Sequence, residues 1–267
     1  MSGDRVILIT GSTDGLGRRV AEKLAAPGVH LLVHGRDATR GQAVVDAVAR
    51  AGGSARFFAA DFSALSEVRR LAAAVAAEHA QLDLLINNAG IAKPGTQPRE
   101  SADGFELHFA VNFLAPFLLT RLLRPRLGAT AVSRIVNVAS AGQAPIDFSD
   151  VMLERGYDGM RAYCQSKLAQ VMDTFDLAEE LTGTNVTVNC LHPATFMDTA
   201  MVRDSGASPL NTVETGADAV LALVARKGIT GRYYDVQREA RANAQAYDIE
   251  ARRKLRAISM TLTGFAA

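Results

Sequence analysis

Two cysteines, Cys164 and Cys190, are all that the sequence holds, and they show neither a pairing pattern nor a metal-ligand spacing. That excludes a disulfide-stapled scaffold and a Cys/His metal centre, and it fits a reducing, cytoplasmic setting. Charge of one sign is also missing, because 29 Lys+Arg face 28 Asp+Glu for a net +1. Nucleic acids and anionic membranes select for a clear basic excess, so neither is expected as a partner. The most basic stretch, Arg252-Arg253-Lys254 with Arg256, has Asp248 and Glu250 beside it and reads as a solvated helix face. No apolar run is long enough to span a bilayer. The strongest, Phe109 to Leu119, is interrupted by Asn112 and Pro116. Met1 to Arg5 lead directly into an apolar Val6–Ile9 without a charged leader or cleavage signal. Repeats, low-complexity tracts and linkers are absent too, and residues 1–267 read as a single domain.

What is present is an alternation. Short apolar runs at Val6–Ile9, Leu31–Val33, Arg56–Ala59, Leu84–Asn87, Arg134–Val138 and Val186–Leu191 predict strands, with a seventh near Gly231–Asp235. Between them, Gly17–Ala26, Gly41–Ala51, Leu65–His79 and Ala162–Leu181 carry helical periodicity. Strands apolar on both sides need cover on both faces. The expected fold is therefore α/β, a doubly wound parallel sheet of the Rossmann type with helices on both faces. Two segments break the rhythm, at about 141–162 and 193–215. Both follow predicted strands on the carboxyl side, where open α/β sheets bind ligands, so they are the expected substrate pocket.

After the first strand comes Thr10-Gly11-Ser12-Thr13-Asp14-Gly15-Leu16-Gly17, opening a helix. Glycines there let backbone amides approach a pyrophosphate, and the helix N-terminus favours its charge. An ordinary strand–turn–helix junction would also explain three glycines. Further along, Tyr163-Cys164-Gln165-Ser166-Lys167 sets a phenol and an ammonium on one helix face. A free phenol, with a pKa of about 10, is a poor base at neutral pH, and a neighbouring cation favours phenolate. Val136-Asn137-Val138-Ala139-Ser140 brings a hydroxyl to the carboxyl edge of the fifth strand.

In this order, these motifs resemble the short-chain dehydrogenase/reductase family, whose fingerprint is Thr-Gly-x-x-x-Gly-x-Gly, and the resemblance covers essentially the whole chain. It implies hydride transfer between a nicotinamide cofactor and a carbonyl or alcohol. Tyr163 would be the general acid/base, Lys167 would tune it and hold the nicotinamide ribose, and Ser140 would orient the substrate oxygen. Asn112 would support a water and proton path to the lysine. The cofactor would be held by Gly11, Ser12, Asp14, Gly15, Leu16 and Gly17, by Asp61 and Phe62 near the adenine, and by Asn88, Ala89 and Gly90 after the fourth strand. Pro193 and Thr195, in a turn where Ala194 replaces the family's usual glycine, would complete the cradle. His192 reads as structural.

The end of the second strand, His34-Gly35-Arg36-Asp37, selects the cofactor. Gly35 leaves the usual acidic position empty and Arg36 offers a donor fork suited to phosphate, which favours NADP(H). NAD(H) stays possible, through Asp37 as ribose ligand and because Asp14 stands where many NADP-preferring relatives carry a base. Arg18 is a second candidate phosphate partner. Ser140 and Tyr163 stand 23 positions apart, and that extension, Ala162-Tyr163-Cys164-Gln165-Ser166-Lys167-Leu168-Ala169 and the ending Gly231-Arg232-Tyr233-Tyr234-Asp235 resemble the retinol dehydrogenase and WW-domain oxidoreductase branch. The branch implies a bulky apolar or aromatic carbonyl or alcohol as substrate. Reduction of an activated carbon–carbon double bond, or a non-catalytic nucleotide-binding regulator, are the alternatives. A monomer or a homo-oligomer is expected, with Ala141–Arg161 placed to cover the surface through which relatives associate.

Overall fold

The computed structural model describes residues 4–129 and 131–266. Met1–Gly3, the start of the expected lead-in, and Ala267 lie outside the described residues. Eight strands form one sheet: β1 (Arg5–Ile9), β2 (Val29–Gly35), β3 (Ser54–Ala59), β4 (Leu84–Asn87), β5 (Ser133–Val138), β6 (Val186–His192), β7 (Tyr233–Asp235) and β8 (Arg238–Glu239). Their order is β3-β2-β1-β4-β5-β6-β7-β8, with every neighbouring pair parallel except β7 and β8. The first seven strands match the expected runs to within a few residues at each end.

Why the apolar runs must be strands is visible in β1. Ile7 and Ile9 pack into one core with Leu31 and Val33, while Leu8 between them packs into the other with Leu32 and Leu85. All three are at most 1% exposed, each worth about 1.5–3 kcal/mol of burial. The helices that supply those cores are α1 (Gly15–Leu24), α2 (Ala38–Arg50), α3 (Leu65–Glu78), α4 (Ala115–Leu123), α5 (Gly159–Glu180), α6 (Ala200–Asp204), α7 (Val213–Ala225) and α8 (Ile249–Thr263). Asp14, Asp37, Asp158, Thr212 and Asp248 cap α1, α2, α5, α7 and α8 with side-chain acceptors. No helix among the described residues is long and apolar enough to cross a membrane.

Two features depart from the sequence pattern. The run containing Asn112 is not simply helical, because Phe109–Leu114 form a π-helical turn that leads into α4. Such turns put an extra residue into the helix and recur at functional sites. The segment 193–215 is partly helical, since it holds α6 and the start of α7. In the sheet order β1 lies between β2 and β4. The chain's direction of progression reverses there, and the carboxyl ends of β1 and β4 open the crevice where doubly wound sheets bind ligands.

Candidate active site

The glycine turn is built by exclusion. Gly11 has φ +63°, and a Cβ there would meet Ala89 Cα at 2.8 Å. A Cβ on Gly17 would meet the Gly11 carbonyl oxygen at 2.3 Å and Asn88 Nδ2 at 2.4 Å. Asn88 Nδ2 donates to the carbonyls of Thr10 (2.9 Å) and Gly11 (3.1 Å), while Thr10 Oγ1 accepts from the amides of Asn88 and Ala89, each at 3.0 Å. The residues after β4 are thus bonded directly to the turn after β1. Asp14 Oδ1 caps only Gly15 N, at 2.7 Å. The Leu16 and Gly17 amides belong to the first turn of α1, which has no intrahelical acceptor.

His34 carries the turn from beneath. Its Nδ1 accepts from Gly11 N (3.1 Å) and its Nε2 donates to the Ala60 carbonyl (3.2 Å), a pattern that only the neutral Nε2–H tautomer satisfies. Its ring stacks on Phe62 at 4.3 Å, and burial pushes its pKa down to about 4. Nothing in the sequence singled His34 out, since a histidine in a strand has no local signature.

Several expected contacts fall differently. Ser12 is fully buried, its hydroxyl donating to the Ile9 carbonyl (2.8 Å) and its amide to the His34 carbonyl (2.9 Å), so it shapes the turn. Asp37 Oδ1 accepts from Arg40 N (3.0 Å) as the cap of α2, and its Oδ2 lies 3.5 Å from Arg40 Nε. Arg18 pairs with Glu22 one helical turn on, at 2.8 Å, and faces solvent. Arg36 is 73% exposed and lies 3.7 Å from Asp61. Arg40, which the sequence did not flag, reaches Asp14 at 3.2 Å and Asp37 at 3.5 Å. A Cβ on Gly35 would sit 2.5 Å from Thr13 Oγ1 and Cγ2, so Thr13 fills the place of an acidic side chain.

At the chemical end, α5 brings Tyr163 and Lys167 to β5. Lys167 Nζ donates to the Val138 carbonyl and to Gln170 Oε1, both at 2.9 Å. Burial drives its pKa down to about 7. It lies 5.9 Å from the Tyr163 ring centre. Burial pushes the Tyr163 phenol up, and the neighbouring Ser140 hydroxyl opposes that rise. In the protein alone, Ser140 is the group that draws the phenol down. Ser140 Oγ also accepts from Gly142 N (3.0 Å), and its carbonyl accepts from Gln143 Nε2 (2.9 Å) and Tyr233 Oη (3.2 Å). Asn112 Oδ1 accepts from Ile91 N (2.7 Å), while its Nδ2 donates to the Ile91 carbonyl (3.0 Å) and Ser166 Oγ (2.9 Å). Its side chain therefore braces the loop after β4. Gly90 leaves the gap through which Asn112 and Lys167 approach: a Cβ there would lie 3.2 Å from Asn112 Oδ1 and 3.5 Å from Lys167 Nζ.

The segment after β6 folds back over the glycine turn. A Cβ on Gly15 would meet Thr199 Cγ2 at 3.2 Å. Thr195 Oγ1 is 3.0 Å from His192 Nε2, and the Thr195 carbonyl accepts from Asn211 Nδ2 at 2.7 Å. His192 is thereby tied into the loop, and burial lowers its pKa. Pro193 and Ala194 are buried at its base. A surface hollow of about 540 Å³, lined by Phe148, Gln245, Asp248 and Lys254 among others, includes none of Ser140, Tyr163 and Lys167. Among the described residues no cluster of His, Cys, Asp and Glu could hold a metal.

A parallel sheet with a glycine-lined turn at its reversal point, and a tyrosine, lysine and serine converging beside it, defines a dinucleotide-dependent oxidoreductase. The chain belongs to the short-chain dehydrogenase family: the family model described as short chain dehydrogenase matches residues 5–209. It falls in the retinol dehydrogenase branch. It is 32% identical to human retinol dehydrogenase 13, over 98% of this chain and 86% of that one. It is 37% identical to mouse polyprenol dehydrogenase, over 97% and 84%. Among solved structures, an uncharacterised protein of Mycobacterium paratuberculosis superposes with a TM-score of 0.81 at 30% identity, covering 98% of this chain and 94% of that one. A Burkholderia cenocepacia short chain dehydrogenase in complex with NADP superposes with a TM-score of 0.71 at 28% identity, covering 87% and 96%.

Proposed function

We propose that this oxidoreductase interconverts a carbonyl and a primary or secondary alcohol on an apolar small molecule, using NADP(H), with Tyr163 as general acid/base. The observation that carries the chemistry is the convergence of Ser140, Tyr163 and Lys167. In reduction, Tyr163 gives its proton to the developing alkoxide while the Ser140 hydroxyl orients the oxygen. In the reverse direction Tyr163 takes the alcohol proton, and Lys167 holds positive charge beside the phenolate. When bound, the nicotinamide supplies or accepts the hydride.

The residues present fit such a cofactor. Gly11, Gly15 and Gly17, with the Leu16 amide, form a cradle that side chains would fill. Phe62, Asp61 and Arg36 would border the adenine. Asn88, Ala89 and Gly90 would hold the middle of the cofactor, and Pro193 and Thr195 the nicotinamide. Two observations favour NADP(H) over NAD(H): Thr13 occupies the place of a carboxylate at position 35, and Arg36 is 73% exposed at the end of β2, held only by a 3.7 Å pairing with Asp61. The NADP complex of the Burkholderia relative points the same way.

An apolar substrate is supported by the rim. Phe196, Met201 and Leu210 are exposed large hydrophobics in the 193–215 segment, and Met160 is another at the end of 141–162. Exposed apolar side chains in the two segments that follow β5 and β6 suit an apolar substrate. We read 1–267 as one catalytic and cofactor-binding domain, with those two segments forming its substrate pocket. Two free cysteines suit a cytoplasmic location.

The test is titration with NADPH and NADH, followed by turnover of aromatic and long-chain aldehydes and ketones. NADPH binding, with turnover that Tyr163→Phe abolishes, is the expected result. Near-normal turnover by Tyr163→Phe would remove the proposed mechanism.

A further inference from the structure

Beside the catalytic tyrosine lies a buried polar cluster that the reaction just described does not use. Glu106 is 4% exposed and His108 1%. Glu106 Oε1 accepts from Tyr157 Oη at 3.0 Å and from His108 Nδ1 at 2.8 Å, and its Oε2 accepts from Phe109 N at 2.7 Å. His108 Nε2 accepts from Lys93 N at 2.9 Å. That last bond fixes the tautomer. A nitrogen that accepts from a backbone amide carries no proton, so Nδ1 holds the hydrogen and gives it to the carboxylate. The cluster is therefore an ionised carboxylate and a neutral imidazole.

A carboxylate this deep survives ionised only when its lone pairs are taken by well-placed donors. Burial pushes the Glu106 carboxyl up, but the hydrogen bonds from His108 and Phe109 outweigh it and leave the group below its ordinary range. The donors come from three places in the chain. Tyr157 belongs to the long segment before α5, Phe109 begins the π-helical turn, and Lys93, through His108, belongs to the loop after β4. That loop is fixed twice more. Asn112 bonds both backbone groups of Ile91, and Gly159 N donates to the Gly95 carbonyl at 2.9 Å. Gly159 has no room for a Cβ, which would stand 2.6 Å from the Lys93 carbonyl oxygen. The His108 ring then meets the Tyr163 ring edge-on, with 6.4 Å between centres and an 83° interplanar angle.

We propose that Glu106, His108 and Tyr157 form one positioning unit, in which the buried carboxylate joins the loop 91–95 to the start of α5 and so holds the Tyr163 phenol at the angle the reaction needs. None of the three touches the reacting atoms. The proposal rests on Tyr163 as the proton-transfer group. The Tyr157 hydroxyl is already engaged, donating to Glu106 Oε1.

The test separates the two readings. Protein labelled at tyrosine Cζ with carbon-13 gives five resonances, one for each tyrosine, and Tyr163→Phe assigns the catalytic one. In the cofactor-free protein, Tyr157→Phe, which removes only the hydroxyl bonded to Glu106, is expected to displace the Tyr163 resonance through Glu106 and His108. With NADPH and a carbonyl, the same variant should lose kcat by about ten- to a hundredfold, the cost of a small misplacement of a reacting group, while NADPH affinity stays at the wild-type value. His108→Gln, whose amide can donate to Glu106 and accept from Lys93, should recover most of the rate that His108→Leu loses. If Tyr157→Phe leaves the Tyr163 resonance in place, or lowers kcat only in step with NADPH affinity and melting temperature, the positioning unit is refuted. A wild-type protein that turns over no carbonyl would refute the functional reading, and the resonance would still decide the positioning.

Discussion

The first glycine of the cofactor turn is held by a histidine on the neighbouring strand β2: Gly11 N donates to His34 Nδ1 at 3.1 Å. The bond exists only while the ring is neutral, and burial keeps it so, with a pKa near 4 against an ordinary value near 6.5. The unfolded chain takes up a proton as pH falls through about 6.5, and the folded protein resists until about 4. The stability tied to this histidine is therefore complete above pH 6.5 and lost between 6.5 and 4, amounting to about 3 kcal/mol. Urea unfolding of the wild type and His34→Gln at pH 7 and pH 4.5 checks this. The free-energy gap between them should narrow by about 2–3 kcal/mol at the lower pH. An unchanged gap would mean that His34 titrates normally.

Gly17 faces a harder constraint. An alanine methyl would enter the space of the Gly11 carbonyl and the Asn88 amide, both within 2.4 Å. Helix α1 would have to move away from β1, taking the amides of its first turn with it. Gly17→Ala should lose NADPH binding by at least tenfold and lower stability by about 1–3 kcal/mol, the usual cost of overpacking. Fluorescence titration and thermal melting read the two effects separately. Wild-type affinity in this variant would show that the α1 N-terminus does not hold the cofactor. Alanine at Gly142 is the control with more room, since its Cβ would meet Cys164 Sγ no closer than 3.3 Å.

The strands were legible because each face of a parallel sheet is covered, and Ile7, Leu8 and Ile9 must all be apolar to satisfy two cores. The glycine turn and Tyr163–Lys167 were legible because their chemistry is local in sequence. The parts that stayed hidden are carried by long-range pairs. Tyr157 and Glu106 are 51 residues apart, and His34 bonds across 23. Each of these side chains has an ordinary local reading: a solvated acid on a helix, a strand histidine, a loop tyrosine. The π-helical turn at Asn112 is hidden for a related reason. Its extra residue is stabilised by what the Asn112 side chain bonds to once the fold exists, and not by the apolar spacing that a helix shares with it. Ser12 has a structural part that the motif did not announce. A hydroxyl inside a phosphate-binding motif invited a cofactor role, and the turn also needs it to bond Ile9 and His34.

Cofactor choice turns on a charge the sequence made ambiguous. Asp14 stands at the mouth of the glycine turn, where a carboxylate would repel a ribose phosphate, yet Arg40 reaches it at 3.2 Å from α2. The pair is exposed, with both side chains more than half accessible, so it contributes little to stability. Its effect is instead on where the second guanidinium points. Asp14→Asn keeps an oxygen to cap Gly15 N, removes the negative charge and releases Arg40 to join Arg36. NADPH affinity should then rise by about three- to tenfold, equivalent to about 1 kcal/mol, while NADH affinity stays level. Arg36→Ala should do the reverse, weakening NADPH by about tenfold or more and sparing NADH. Both effects should shrink in 0.5 M salt, because exposed charges are screened over a few ångströms there. Titrations of the two variants with both nucleotides at low and high salt supply the check. Should Asp14→Asn weaken NADPH, Arg40 would be shown to bind the phosphate only from its place beside Asp14. Equal losses of NADPH and NADH in Arg36→Ala would instead move the phosphate site away from the end of β2.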